Sequence, residues 1–127
     1  MKLLSIDDSR IIRRIISGVG AMLGYETLEA EHGEAAFILL RERADEVGLI
    51  LLDWNMPGLN GLEVLIELKK SPAWQHIPVM MVTTEGEKEY IVKAIQAGAA
   101  HYMTKPFSQE EMAAKIMEVL GKGTIQE

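Results

Sequence analysis

The chain predicts an α/β fold: a doubly wound (βα)5 unit whose five-stranded parallel sheet is covered by helices on both faces. Three observations carry that expectation. Short apolar runs of strand length alternate with longer stretches whose apolar residues recur at helical spacing, the pattern of a parallel sheet between helical layers. The run Leu49-Ile50-Leu51-Leu52 is so apolar that both of its faces must be covered. The 127 residues, 48% of them hydrophobic, suit one domain with a buried core.

Lys2 to Ile6 reads as a buried first strand. Ile12, Ile15, Ile16, Val19, Met22 and Leu23 then mark a helix, which Asp8 or Ser9 caps and Gly24 closes. Tyr25 to Ala30 is a more polar strand that suits a sheet edge. A second helix runs from about Glu34 to Ala44, with Ala35, Ala36, Leu39 and Leu40 on one face. Leu49 to Asp53 is the third strand, and Asn55 to Gly61 is a turn-rich loop. Leu62, Leu65 and Ile66 begin a third helix that stops before Ser71-Pro72. Ile77-Pro78 leads into the strand Val79–Val82. Ile91, Ala94 and Ile95 mark a fourth helix, ended by Ala97-Gly98. A short strand reaches Lys105-Pro106, and Ser108 opens a last helix carrying Met112, Ile116, Val119 and Leu120.

Thirteen basic against nineteen acidic residues give a formal charge of -6, which argues against a nucleic-acid partner. Without cysteine, neither a disulfide framework nor a thiolate metal site is possible. The first residues are too short a run for a signal-peptide core, and no stretch is long enough to insert in a membrane. A cytoplasmic protein is expected. The eight methionines read as packing residues. His32, His76 and His101 share no metal-ligand spacing and read as surface or loop residues. Gly18, Gly20 and Gly24 end a helix instead of following a strand, so they make no dinucleotide fingerprint.

The chemistry lies at the strand ends. Asp7 and Asp8, Asp53, Thr83 and Lys105 each follow an apolar run, and parallel strands bring such positions to one carboxyl edge, where ligands bind. Any one of these aspartates alone reads better as a helix cap. Three carboxylates at one rim repel one another unless a cation sits among them. Magnesium favours such oxygen ligands, and a carboxylate can act as a nucleophile that forms an aspartyl-phosphate. Lys105 and Thr83 supply the charge and the hydrogen bond that phosphoryl transfer asks of a protein.

These residues resemble the response-regulator receiver domain of two-component signalling. The matching residues are Asp7-Asp8, Asp53-Trp54-Asn55-Met56-Pro57-Gly58 with Gly61, Thr83, and Lys105-Pro106-Phe107. The likeness runs across essentially the whole chain. Ala97-Gly98-Ala99 before Tyr102 brings it nearest the single-domain chemotaxis members. The resemblance implies a flavodoxin-like sheet of order 2-1-3-4-5 and one receiver domain, 1–127, without an output domain, the chain ending soon after the fifth helix. It implies that Asp53 accepts a phosphoryl group from a histidine kinase, with Lys105 and Thr83 contacting its oxygens. Mg2+, for which Mn2+ can substitute, would be held by Asp8, Asp53 and the backbone carbonyl of Asn55, and by Asp7 through water. The family also implies a cis peptide between Lys105 and Pro106. The protein itself would not be an enzyme beyond gaining and losing its own phosphate.

The same resemblance makes Thr83 and Tyr102 a switch: Thr83 moves toward the phosphate and the Tyr102 ring turns inward behind it. Output would come from helix four, strand five and helix five, including Lys88, Tyr90, Ile91, Tyr102 and Lys115, through binding a protein such as the flagellar motor switch. A monomer is expected. Asn55 and Glu85 flank the site where attacking water would stand, which implies a phosphate lasting seconds to minutes. Thr84 departs from the small residue usual there and would narrow access to Asp53. Trp54 would report metal and phosphate by fluorescence. The alternatives are a phosphorelay intermediate or another stand-alone receiver outside chemotaxis and, more remotely, an aspartyl-phosphate phosphatase, which would want an acid where Asn55 stands.

Overall fold

The computed structural model describes residues 1–121. In it, β1 (Lys2–Ile6), β2 (Thr27–Ala30), β3 (Val47–Leu52), β4 (Val79–Thr83) and β5 (His101–Thr104) pair in parallel in the order β2-β1-β3-β4-β5. The helices are α1 (Arg10–Met22), α2 (Gly33–Arg43), α3 (Gly61–Lys70), α4 (Lys88–Gln96) and α5 (Gln109–Val119). The expected sheet order is therefore the observed one. Glu127, where the chain was expected to end, lies outside the described residues.

The two-fold period of a strand explains the unbroken apolar runs. Leu49, Leu51, Met80 and Val82 pack with Ile16, Val19, Met112 and Ile116 of α1 and α5. Their neighbours Ile50, Leu52, Val79 and Met81 pack on the other face with Ala36, Leu40, Val64, Leu65, Leu68 and Ala94 of α2, α3 and α4. Each fully buried leucine side chain contributes about 1.5–3 kcal/mol. Helix starts are set by side chains: Ser9 accepts from the Ile12 N–H at 3.2 Å, while Asn60 with Glu63 and Ser108 with Glu111 form reciprocal capping boxes.

Several boundaries and exposures differ from expectation. β2 starts at Thr27, not Tyr25, because the Tyr25 N–H bonds back to the Gly20 carbonyl and finishes the end of α1. β3 starts two residues early at Val47, which pairs with Lys2 across a register shift. A 3-10 turn, Ala44–Glu46, follows α2. Met22 and Ile95, placed on apolar stripes by spacing, are 70% and 47% exposed, since both stand near helix ends that outrun the core. His101 is a half-buried strand residue and not a loop histidine, and His32 caps α2 by accepting from the Ala35 N–H.

Candidate functional site

The parallel register delivers the expected residues to one rim. Hydrogen bonding continues just past the strand ends: the Asp7 N–H donates to the Ala30 carbonyl, the Asp53 N–H to Ile6 and the Lys105 N–H to Thr83. These bonds fix the backbone from which the functional side chains project. Lys105–Pro106 is a cis peptide.

Asp7, Asp8 and Asp53 each offer a carboxylate oxygen within 4.8 Å of the others. Asp7 and Asp53 are buried and Asp8 is exposed. The Lys105 ammonium lies 2.8 Å from Asp7 Oδ2 and 3.4 Å from Asp53 Oδ2. One ammonium cannot neutralise three carboxylates, so the donor set, all hard oxygen, fits a small divalent cation. Burial pushes the Asp7 carboxyl above its ordinary value, and the Asp53 charge adds to this. The Lys105 and Ser9 N–H bonds oppose it only in part.

The two oxygens of Asp53 are inequivalent. Oδ1 accepts from the Trp54 N–H at 2.7 Å, and Oδ2 faces Lys105. Gly61 holds this corner from below: its N–H donates to the Trp54 carbonyl at 2.7 Å. Thr83 is fully buried at the end of β4, and its Oγ1 accepts from the Glu85 N–H at 3.4 Å, which leaves its own proton free to donate.

The loops after β3 and β4 meet over the site, where the Asn55 amide donates to Glu85 Oε2 at 2.7 Å. Thr84 is exposed at this rim. Tyr102 is already inward: its ring is half-buried and its hydroxyl donates to the Glu85 carbonyl. Burial first, then the charges of Glu85 and Asp53, push this phenol up to about 12. Trp54 is 7% exposed, with its ring edge-on to Tyr90 of α4 at 5.0 Å and 87°.

One residue at the site escaped the sequence reading. Arg13 of α1 donates to the Asp7 carbonyl at 2.6 Å and, through Nε, to Glu29 of β2 at 3.0 Å. Its only sequence signal was its place three residues before Ile16, on the flank of the buried stripe of α1.

Residues 3–117 match the family described as the response regulator receiver domain. A chemotaxis protein CheY homolog of Campylobacter jejuni is 42% identical over 125 residues, spanning 98% of this chain and 95% of that protein. Chemotaxis protein CheY1 of Helicobacter pylori is 43% identical over 122 residues, spanning 95% and 98%. Among solved structures, chemotaxis protein CheY4 of Vibrio cholerae superposes with a TM-score of 0.86 at 29% identity, covering 93% of this chain and 97% of that one.

Proposed function

The chain belongs to the response regulator receiver family, and from that premise we propose that phosphorylation of Asp53 by a histidine kinase switches it into a form that signals by binding another protein, in a chemotaxis circuit. The observation that carries this reading is the Lys105 ammonium in contact with both Asp7 and Asp53 at the rim that also holds Asp8 and Thr83.

A carboxylate oxygen of Asp53 forms the new bond to phosphorus as the bond from phosphorus to the donor imidazole nitrogen breaks, the leaving nitrogen keeping that electron pair. Lys105 and the Thr83 hydroxyl donate to the phosphoryl oxygens, which positions the group and offsets its charge. Asp8, Asp53 and the Asn55 carbonyl, with Asp7 through water, would hold Mg2+ or Mn2+. When bound, the ion would supply positive charge that offsets the carboxylates and the incoming phosphoryl group. Asn55 and Glu85 stand over the reacting centre and set how soon water returns it to the free carboxylate. This gain and loss of its own phosphate is the only turnover we assign to the protein, which acts in the cytoplasm with its kinase.

Signalling proceeds through Thr83 and Tyr102. The phosphoryl group brings three acceptor oxygens that draw the Thr83 hydroxyl, and the inward Tyr102 ring on the Glu85 carbonyl is the arrangement this favours. Moving a balance from 1:99 to 99:1 takes about 5.5 kcal/mol, which two or three charge-assisted hydrogen bonds of roughly 1.5–3 kcal/mol each supply. The face of α4, β5 and α5, with Lys88, Tyr90, Ile91, Tyr102 and Lys115, would meet the target, the flagellar motor switch in the chemotaxis reading.

Labelling with acetyl phosphate and Mg2+ tests the proposal. Wild type takes up phosphate and Asp53→Asn does not; a variant that labels normally refutes the assignment. Rescue of swarming in a strain lacking its chemotaxis regulator, lost with Asp53→Asn, tests the circuit.

A further inference from the structure

We infer that Arg13 is a positioning residue for the cation site: its guanidinium clamps the peptide that joins Asp7 to Asp8 and so aims both carboxylates. The inference rests on the phosphorylation reading above and deepens it. The Asp7 carbonyl stands where β1 leaves the sheet, and the Arg13 guanidinium, from the end of the first turn of α1, returns to bond it at 2.6 Å. That length is slightly below the usual range of about 2.7–2.9 Å for a charge-assisted N–H···O bond. The same guanidinium is tethered by Glu29 on β2 at 3.0 Å, and the Arg13 side chain is only 13% exposed. A planar fork held at two points cannot swing freely.

The geometry at this peptide is consequential. One carboxylate must turn inward to Lys105 at 2.8 Å, while the next residue's must turn outward to the open rim. Both directions depend on the orientation of the peptide plane between them, which carries the Asp7 carbonyl and the Asp8 N–H. Outer groups that orient ligands in this way are typically worth about 10–100-fold in metal affinity.

Charge and geometry predict opposite signs, which makes the inference decidable. Arg13 is a cation near a cation site, so if it acted only by its charge, removing it would tighten Mg2+ binding. If it acts by aiming Asp7 and Asp8, removing it weakens binding. Calorimetric Mg2+ titration of full-length wild type, Arg13→Met and Arg13→Lys is the test, with the Asp8 amide resonance as the structural readout. We expect about tenfold weaker binding in Arg13→Met, where the apolar stem of the side chain is kept, together with a shifted Asp8 resonance. Arg13→Lys keeps the charge but not the fork, and is also weakened. Arg13→Met binding as tightly as wild type, or more tightly, overturns the inference. Should that variant fail to fold, Arg13→Lys decides by the same criterion. A wild-type protein without a Mg2+ response overturns the phosphorylation reading as well, whereas loss of the effect only in the Arg13 variants' comparison overturns Arg13 alone.

Discussion

Replacing Gly61 by alanine tests how tightly the loop after β3 is built against Asp53. A Cβ added at Gly61 would lie 2.2 Å from the Asp53 carbonyl oxygen, 2.7 Å from Trp54 Cα and 2.9 Å from the Asp53 carbonyl carbon. Ordinary contact begins at 3.4 Å, and all three obstacles are backbone, so no side-chain rotation relieves them. The Gly61 N–H bond to the Trp54 carbonyl at 2.7 Å ties the two segments together. Roughly 1 Å of backbone displacement must therefore be absorbed next to Asp53. Overpacking of this kind costs about 1–3 kcal/mol, and a displacement this rigid belongs near the upper end, partly offset by the helix preference of alanine. A net loss of about 2 kcal/mol lowers the melting temperature of a domain this size by roughly 6–10 °C. The internal control is Gly18→Ala. Its Cβ meets nothing within 4 Å on the exposed side of α1, so it should stabilise by roughly 0.5–1 kcal/mol. Thermal unfolding followed by circular dichroism reads both. At temperatures where Gly61→Ala is folded, acetyl-phosphate labelling should still fall, by up to about 100-fold for a misplacement near 1 Å. A Gly61→Ala protein that melts with wild type and labels at its rate refutes the reasoning.

Three further outcomes follow from the site's electrostatics and contacts. The Tyr102 phenol, pushed up to about 12, stays protonated in the fold after its unfolded counterpart has ionised near 10. Its contribution to stability is therefore whole below pH 10 and lost as pH rises through 12; the ultraviolet titration of wild type minus Tyr102→Phe should show a phenol titrating well above 10. A midpoint at 10 contradicts the inward ring. Asn55 and Glu85 touch at 2.7 Å, so Asn55→Ala and Glu85→Ala should be non-additive in dephosphorylation rate, coupled by about 0.5–1 kcal/mol, or roughly 2–5-fold. Additive effects disconnect them. Burial raises the folded-state value of Asp7 above 3.8, so its stabilising share is present below that pH and is lost as pH rises through the raised value, above which the buried charge is a cost. Asp7→Asn in Mg2+-free buffer should unfold at higher urea than wild type at pH 7, with the gain vanishing toward pH 3; a less stable Asp7→Asn at neutral pH opposes this.

Much of this molecule was legible because a parallel sheet covered on both sides leaves a coarse, redundant imprint. Leu49 to Leu52 announces burial without reference to any partner, and the strand ends carry Asp8, Asp53, Thr83 and Lys105 to one edge whatever their separation along the chain. Helical spacing gives a period but not where the core stops, which is why Met22 and Ile95 were set among buried residues. The rest of the site is made of contacts between loops and of rotamers, which have no period to read. Nothing in Asn55 or Glu85 separately reveals their bond, and Tyr102 says nothing of whether its ring lies inward. Arg13 was hidden for a similar reason: it is a long side chain reaching a backbone atom, and backbone carbonyls carry no sequence identity.

The charges at the rim are arranged against stability and in favour of function. Three carboxylates cluster around one ammonium that contacts two of them, Asp7 and Asp53, which leaves an excess of negative charge where those two are buried. A purely structural edge would place apolar residues there, as the sheet does a residue earlier at Ile6, Leu52 and Val82. Lys105 suits this tension better than an arginine would. Its compact ammonium presents three donors on a flexible stem, so it holds Asp7 and Asp53 and, in the proposed reading, has a donor left for a phosphoryl oxygen. Arg13, by contrast, is spread over two acceptors, the Asp7 carbonyl and Glu29. In the proposed reading Lys105 and Arg13 thus divide the work: one contacts the carboxylates that meet the changing charge, and the other holds the peptide that aims them.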